Sequence, residues 1–127
     1  MQYLSAQEVL ILHARVIEET GGLHGVRDVS LLESACGRPK AGFGGSELYK
    51  TLFQKAVALL HSLASNHPFL DGNKRTAAIA AARVLYINGY DLEVSQKSLV
   101  AFMINVAIGK LDVVDIAEWL KKHSKKI

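Results

Sequence analysis

From Ser5 to Gly21 apolar residues recur at helical spacing (Val9, Leu10, Ala14, Val16, Ile17). Ser5 followed by Glu8 is a capping-box pattern at the start of this run, and "TGG" stops it. "LHGVRD" reads as a loop. A short second helix follows, capped by Asp28 or by Ser30, with Ser30 and Glu33 again spaced as a box; it ends by "CGRP". The stretch "GRPKAGFGGS" (Gly37 to Ser46) holds four glycines and a proline and suits no regular element, so it reads as a mobile loop or an irregular hairpin. A long helix is predicted from Glu47 to Ser65. Leu52, Ala56, Leu59, Leu60 and Leu63 form one face, while Tyr49, Phe53, Val57 and Ala64 carry apolar surface almost around it, which marks a central helix. Thr76 to Asn88 reads as an alanine-rich helix able to pack closely. "NGYDLEV" breaks it and could give a brief extended piece, and helices over about Gln96–Ile108 and Val113–Lys122 complete the chain. The pattern predicts an all-α bundle of about six helices forming one domain over residues 1–127, without repeats or linkers.

Composition narrows the class. Half of the 127 residues are apolar, enough for one sizeable core. The single cysteine, Cys36, excludes an internal disulfide and fits a reducing compartment, where it serves as a small core filler. No signal-type segment and no apolar run of membrane length is present, so a cytoplasmic protein with no membrane partner is expected. The net charge of +3 is mild, and much of it lies in "KKHSKK" (Lys121 to Lys126), which reads as a solvated helix end. Without a basic stripe, no direct nucleic-acid partner is expected.

The chemistry concentrates in "NHPFLDGNKRTAA" (Asn66 to Ala78), between two apolar helices. "DGNKRT" lies at a helix start, where backbone N–H groups and the dipole favour anions. Gly72 permits close backbone approach, Asn73 belongs to the same turn, and Lys74 and Arg75 add positive charge: together a phosphate cradle. An acid beside a phosphate is repulsive unless a divalent cation bridges them, which assigns Asp71 to Mg²⁺. His67, able to take a proton near neutral pH, is the candidate general base. The cluster points to phosphoryl or nucleotidyl transfer. Taken singly, Asp71 is also explained as an N-cap, His67 as a turn residue, and Lys74 and Arg75 as solvated first-turn bases. Phe69 is expected to anchor the loop in the core. Phe43 either pins the glycine-rich loop to the core or serves a partner. His61, His13, His24 and His123 are not spaced as a zinc site, and His61 reads as a helix-face residue.

"HPFLDGNKR" (His67 to Arg75) resembles the Fic motif, HxFx[D/E]GNxR, and "RPKAGFGG" with "GNKRTA" is similar to the Doc branch of the Fic/Doc family. The likeness extends over essentially the whole chain. It implies a Fic/Doc-type helical fold with a short flap before the central helix, and an ATP-consuming toxin of a toxin–antitoxin pair. His67 would be the catalytic base and Asp71 the Mg²⁺ ligand. Gly72, Asn73, Lys74 and Arg75 would hold the phosphates of ATP, and Phe69 would anchor the loop. Arg38, Lys40, Phe43 and Gly44 would belong to the flap that docks the target. AMP-transferring members typically read GNGRxxR; here Lys74 and Ala78 replace the second glycine and second arginine, which the Doc branch shares. The resemblance therefore implies transfer of phosphate to a protein hydroxyl, by analogy on elongation factor Tu, blocking translation. AMP transfer is the alternative, and a non-catalytic helical adaptor or nucleic-acid-binding module the further one. No Ser or Thr has a Glu four residues later, as a self-inhibiting helix of the family would require, so a separate antitoxin chain is implied as partner.

Overall fold

The computed structural model describes residues 1–127. Six α-helices form the body: α1 (Ala6–Thr20), α2 (Val29–Gly37), α3 (Leu52–Asn66), α4 (Asn73–Ile87), α5 (Gln96–Ala107) and α6 (Val113–Lys122). The all-helical expectation holds. Between α2 and α3 a 3-10 turn at Arg38–Lys40 leads into a small hairpin, β1 (Gly42–Phe43) with β2 (Ser46–Glu47), in which Gly42 faces Glu47 and Phe43 faces Ser46. A second antiparallel pair joins β3 (Tyr90–Leu92) to β4 (Ser124–Lys126).

Helix α3 is the axis of the fold, packed against α2, α4, α5 and α6. Ala56 to Leu60 are all buried, which explains why its apolar positions nearly encircle it. Helix α4 lies against it through Ala77, Ala80 and Ala81, all fully buried, and side chains this small let the two backbones approach. Phe102 of α5 stacks on Trp119 of α6 with ring centroids 3.7 Å apart, closing the far end of the core.

Three expectations need correction, and one alternative left open is settled. Helix α3 does not start at Glu47, because Ser46 and Glu47 are taken by β2. Its start is set at Leu52 by a reciprocal capping box, with Gln54 N–H donating to Thr51 Oγ1 (3.1 Å) and Thr51 N–H to Gln54 Oε1 (3.2 Å). Helix α4 begins at Asn73, ahead of the expected Thr76, because Gly72 adopts a left-handed conformation (φ 74°, ψ 20°) that turns the loop straight into the helix. Asp28, not Ser30, caps α2 by accepting Leu31 N–H at 3.1 Å. The lysine-rich tail is not simply a solvated helix end: Ser124–Lys126 extends as β4, locked by Glu93 N–H to His123 O (2.8 Å) and Ile127 N–H to Gly89 O (2.9 Å).

Candidate active site

The loop from His67 to Gly72 joins the two central helices, so both of its ends are fixed by the core. His67 caps α3 in the left-handed region (φ 51°, ψ 60°), where no other non-glycine residue of the chain lies. That conformation costs an L-residue roughly 1–2 kcal/mol. His67 is exposed, and Phe69, two positions on, is buried. The Phe69 ring stacks on His13 of α1, with centroids 3.8 Å apart and planes 5° from parallel. His13 is itself buried and donates through Nε2 to the Asp71 carbonyl at 2.8 Å. Helix α1 thus supports the loop from beneath.

Asn73 faces inward. Its Oδ1 accepts Phe69 N–H at 3.0 Å and its Nδ2 donates to Phe69 O at 3.0 Å, while Nδ2 comes within 3.5 Å of His67 Nδ1. What Asn73 offers an anion is therefore its backbone N–H. The first α4 residue with a helical acceptor is Thr76, whose N–H bonds Gly72 O at 2.9 Å, and no side chain caps the helix. The N–H groups of Asn73, Lys74 and Arg75 are left for a ligand, at the positive end of the helix dipole. A Cβ at position 72 would come within 2.9 Å of Ile17 Cδ1, so a side chain there would strain both the backbone and the wall behind it.

Asp71 does not cap α4, since Gly72 occupies that position. Its carboxylate accepts Leu23 N–H on Oδ2 (3.1 Å) and Gly72 N–H on Oδ1 (2.8 Å). These two backbone bonds, with Arg75 and His13 adding smaller favourable fields, hold its pKa below the ordinary carboxylate value. Arg75 Nη2 lies 3.7 Å from Asp71 Oδ1, and the same guanidinium donates to Thr20 Oγ1 and to Gly21 O (3.1 Å), at the end of α1. Lys74 is exposed and forms no salt bridge.

The donor set bears on a metal. No group of three or more His, Cys, Asp or Glu side chains converges anywhere, so the chain builds no all-protein cage. Asp71, ionised and about 42% exposed in its side chain, instead fits Mg²⁺ held by one carboxylate while phosphate oxygens and water complete the shell.

The four flap residues lie in different settings. Phe43 is 93% exposed, so it does not pin the hairpin to the core, and it stands at the tip with Gly44. Arg38 turns inward, donating from Nε to Tyr49 Oη (2.7 Å) and from Nη1 to Ser62 Oγ (2.8 Å), 3.3 Å from His61 Nδ1. Lys40 Nζ lies 5.2 Å from the centre of the Tyr3 ring. At the far root of the hairpin, buried Lys55 pairs with Glu47 Oε1 at 3.1 Å and donates to the Tyr49 carbonyl. Cys36 is buried and its thiol is pushed up to about 11, chiefly by desolvation, so it stays protonated and inert.

The Fic/DOC family model matches residues 3–85, which include α1 to α3, the hairpin, the whole loop and α4 as far as Leu85. The chain belongs to the Fic/Doc family. It is 32% identical over 122 residues to "Protein kinase doc" of Escherichia phage P1, covering 96% of this chain and 95% of that protein. It is 46% identical over 91 residues to "Toxin Doc" of Mycolicibacterium smegmatis, covering 72% of this chain and 68% of that protein. On the Fic/Doc frame, the two positions that depart from the AMP-transfer motif are neighbours in space. Lys74 and Ala78 both line a cavity of about 250 Å³ between α1, α4 and α5, together with Val16, Thr20, Arg75 and Met103. Ala78 is 6% exposed and presents only a methyl group to it.

Several residues that build the site gave little sequence signal. His13 completes the buried stripe of α1 with Val9, Val16 and Ile17, whereas Leu10 points outward. A histidine in an apolar stripe, four residues after Val9, was the available clue. Leu23 acts through its backbone and Arg27 through contacts 39 and 40 residues away, which no local pattern encodes.

Proposed function

We propose that this protein is a Doc-type toxin that transfers phosphate from ATP to a hydroxyl on a target protein. The observation that carries the reading is the clustering of an exposed histidine, a low-pKa carboxylate and an uncapped helix start inside one rigid loop. In such a reaction His67 takes the proton of the target hydroxyl. The N–H groups at the start of α4 and the Lys74 ammonium hold phosphate oxygens while ADP leaves; Asp71 would hold Mg²⁺, which would supply charge neutralisation at the phosphates. The reading of phosphate rather than AMP rests on Lys74 and Ala78, which leave no second arginine to clamp the nucleotide in the AMP-transfer orientation, and on the printed name of the phage relative.

The flap tip, Phe43 with Gly44, would meet the target, by analogy elongation factor Tu, so that growth arrest follows from blocked translation in the cytoplasm. Inhibition would come from a separate antitoxin. The apolar cavity beside Lys74 suits a partner helix whose presence would crowd the phosphate turn. The test is incubation with γ- or α-labelled ATP, Mg²⁺ and elongation factor Tu, with His67→Ala as control. Label from the γ position alone, lost in His67→Ala, is expected; label from the α position would convert the assignment to AMP transfer. No transfer from either, with wild type and His67→Ala indistinguishable in cells, would leave a non-catalytic role.

A further inference from the structure

The segment from Leu23 to Asp28 contributes no side chain to the chemistry above, yet it runs antiparallel to the catalytic loop and grips it. Arg27 Nε donates to His67 O at 2.7 Å, and Arg27 Nη2 donates to Asn66 O at 2.8 Å. The backbone N–H groups of Arg27 and Asp28 both donate to Pro68 O, at 2.7 and 3.0 Å. Three successive carbonyls, 66 to 68, are thus held by one dipeptide. Beyond them Val26 pairs across from Phe69, and Leu70 N–H donates to Gly25 O at 3.1 Å.

This grip falls where it is most needed. A helix that ends in a left-handed residue normally places glycine there, sometimes asparagine. Neither could serve as a base, so the chain has a strained histidine at φ 51° instead. The last carbonyls of α3 lack helical partners and form the negative end of its dipole. A guanidinium is the group best suited to hold two such carbonyls, since its donors are fixed in a planar fork and its bonds are charge-assisted. We infer that Arg27 is a positioning residue for His67: by holding the Asn66 and His67 carbonyls it fixes the left-handed turn that sets where the imidazole stands. The inference rests on the proposed transfer reaction, with His67 as base. It adds a residue that lies on neither α3 nor α4.

The test compares Arg27→Ala and Arg27→Lys with wild type by two readouts. The first is the NMR signals of the histidine rings without nucleotide, which needs no activity. In Arg27→Ala the His67 ring signals are expected to shift and average, while those of His61 and His123 stay in place, and Arg27→Lys should recover part of the shift. The second is steady-state transfer: a fall in kcat of about 10- to 100-fold is expected for Arg27→Ala, since a base misplaced by about 1 Å can cost ~10²-fold. KM for ATP should remain within about twofold, since uniform nucleotide binding is untouched. Unchanged His67 signals in Arg27→Ala would overturn the inference, as would a loss confined to thermal stability with kcat intact. If the wild-type protein transfers no label at all, the reaction assigned above fails, and the ring signals alone still decide whether Arg27 positions His67.

Discussion

Replacing Asn73 separates its two possible contributions, because the structure gives its side chain to the loop and only its backbone to the anion site. Asn73 is 8% exposed, with both amide atoms committed to Phe69 at 3.0 Å. In Asn73→Ala the Phe69 N–H and C=O lose their partners in a buried place. Each such group costs about 1–3 kcal/mol, so the pair should cost about 2–6 kcal/mol. For a domain of this size that corresponds to a fall in Tm of roughly 10–20 °C. Asn73→Asp is nearly isosteric and sharper. It keeps the acceptor for Phe69 N–H but turns the donor facing Phe69 O into a second acceptor, so the protonated acid, able to donate, is the form the fold prefers. The carboxyl pKa is then raised in the folded state, and the destabilisation should be largest at neutral pH and shrink toward acid pH. Thermal unfolding followed by circular dichroism at pH 5 and pH 7, without nucleotide, reads both effects. An Asn73→Ala Tm within about 2 °C of wild type, together with lost nucleotide binding, would refute the reasoning and make the side chain a direct ligand.

Two further perturbations address other parts of the frame. Lys55→Met removes the buried ammonium that ties Glu47 and the Tyr49 carbonyl to α3. It should cost about 1–3 kcal/mol and raise hydrogen exchange at Leu48 N–H, which bonds Ala41 O; unchanged exchange there would show that the hairpin stands without its strap. His61 has a lowered pKa, first through desolvation and then through Arg38, so the unfolded chain takes up its proton at a higher pH than the folded protein does. Stability should therefore fall as pH drops below about 6.5, and the urea midpoint of His61→Gln should depend less on pH between 8 and 5; an equal slope in the two proteins would assign the loss to other groups.

The fold was legible where local rules decide it. The capping box at Ser5, the apolar surface of α3 and the alanine run of α4 all encode their elements within a few residues. The errors fell where a distant or backbone-level fact won. The start of α3 differs from the pattern because Glu47 has good helix propensity but is claimed by β2, and the Thr51–Gln54 box that sets the true start lies inside the apolar pattern. The tail carries no local strand signal because β4 exists only through pairing with β3, more than 30 residues earlier. Phe43, an aromatic among glycines, could not be assigned inward or outward from sequence, since nothing local distinguishes a pinned ring from a presented one. At the site, the motif named the residues but not their orientation. Asn73 and Arg38 look like ligands or docking residues in sequence, and the structure turns both inward.

The two bases after Asn73 divide the electrostatics of the site unequally. Arg75 is tied to the end of α1 through Thr20 and Gly21 and lies beside Asp71, so its charge is held at the wall between α1 and α4 and adds a small favourable field to the carboxylate. An arriving anion therefore meets the field of the helix start and of Lys74, the one cation there that can move toward it without breaking a bond. Asp71 keeps its negative charge because two backbone N–H groups hold it ionised, which Arg75 alone at 3.7 Å would do less well. The crowding of polar groups between two apolar helices is thus a separation of tasks. Asn73 holds the loop and Arg75 and Leu23 hold the acid; in the proposed reaction that leaves His67, Lys74, the Asp71 carboxylate and the bare backbone of α4 to serve the phosphate.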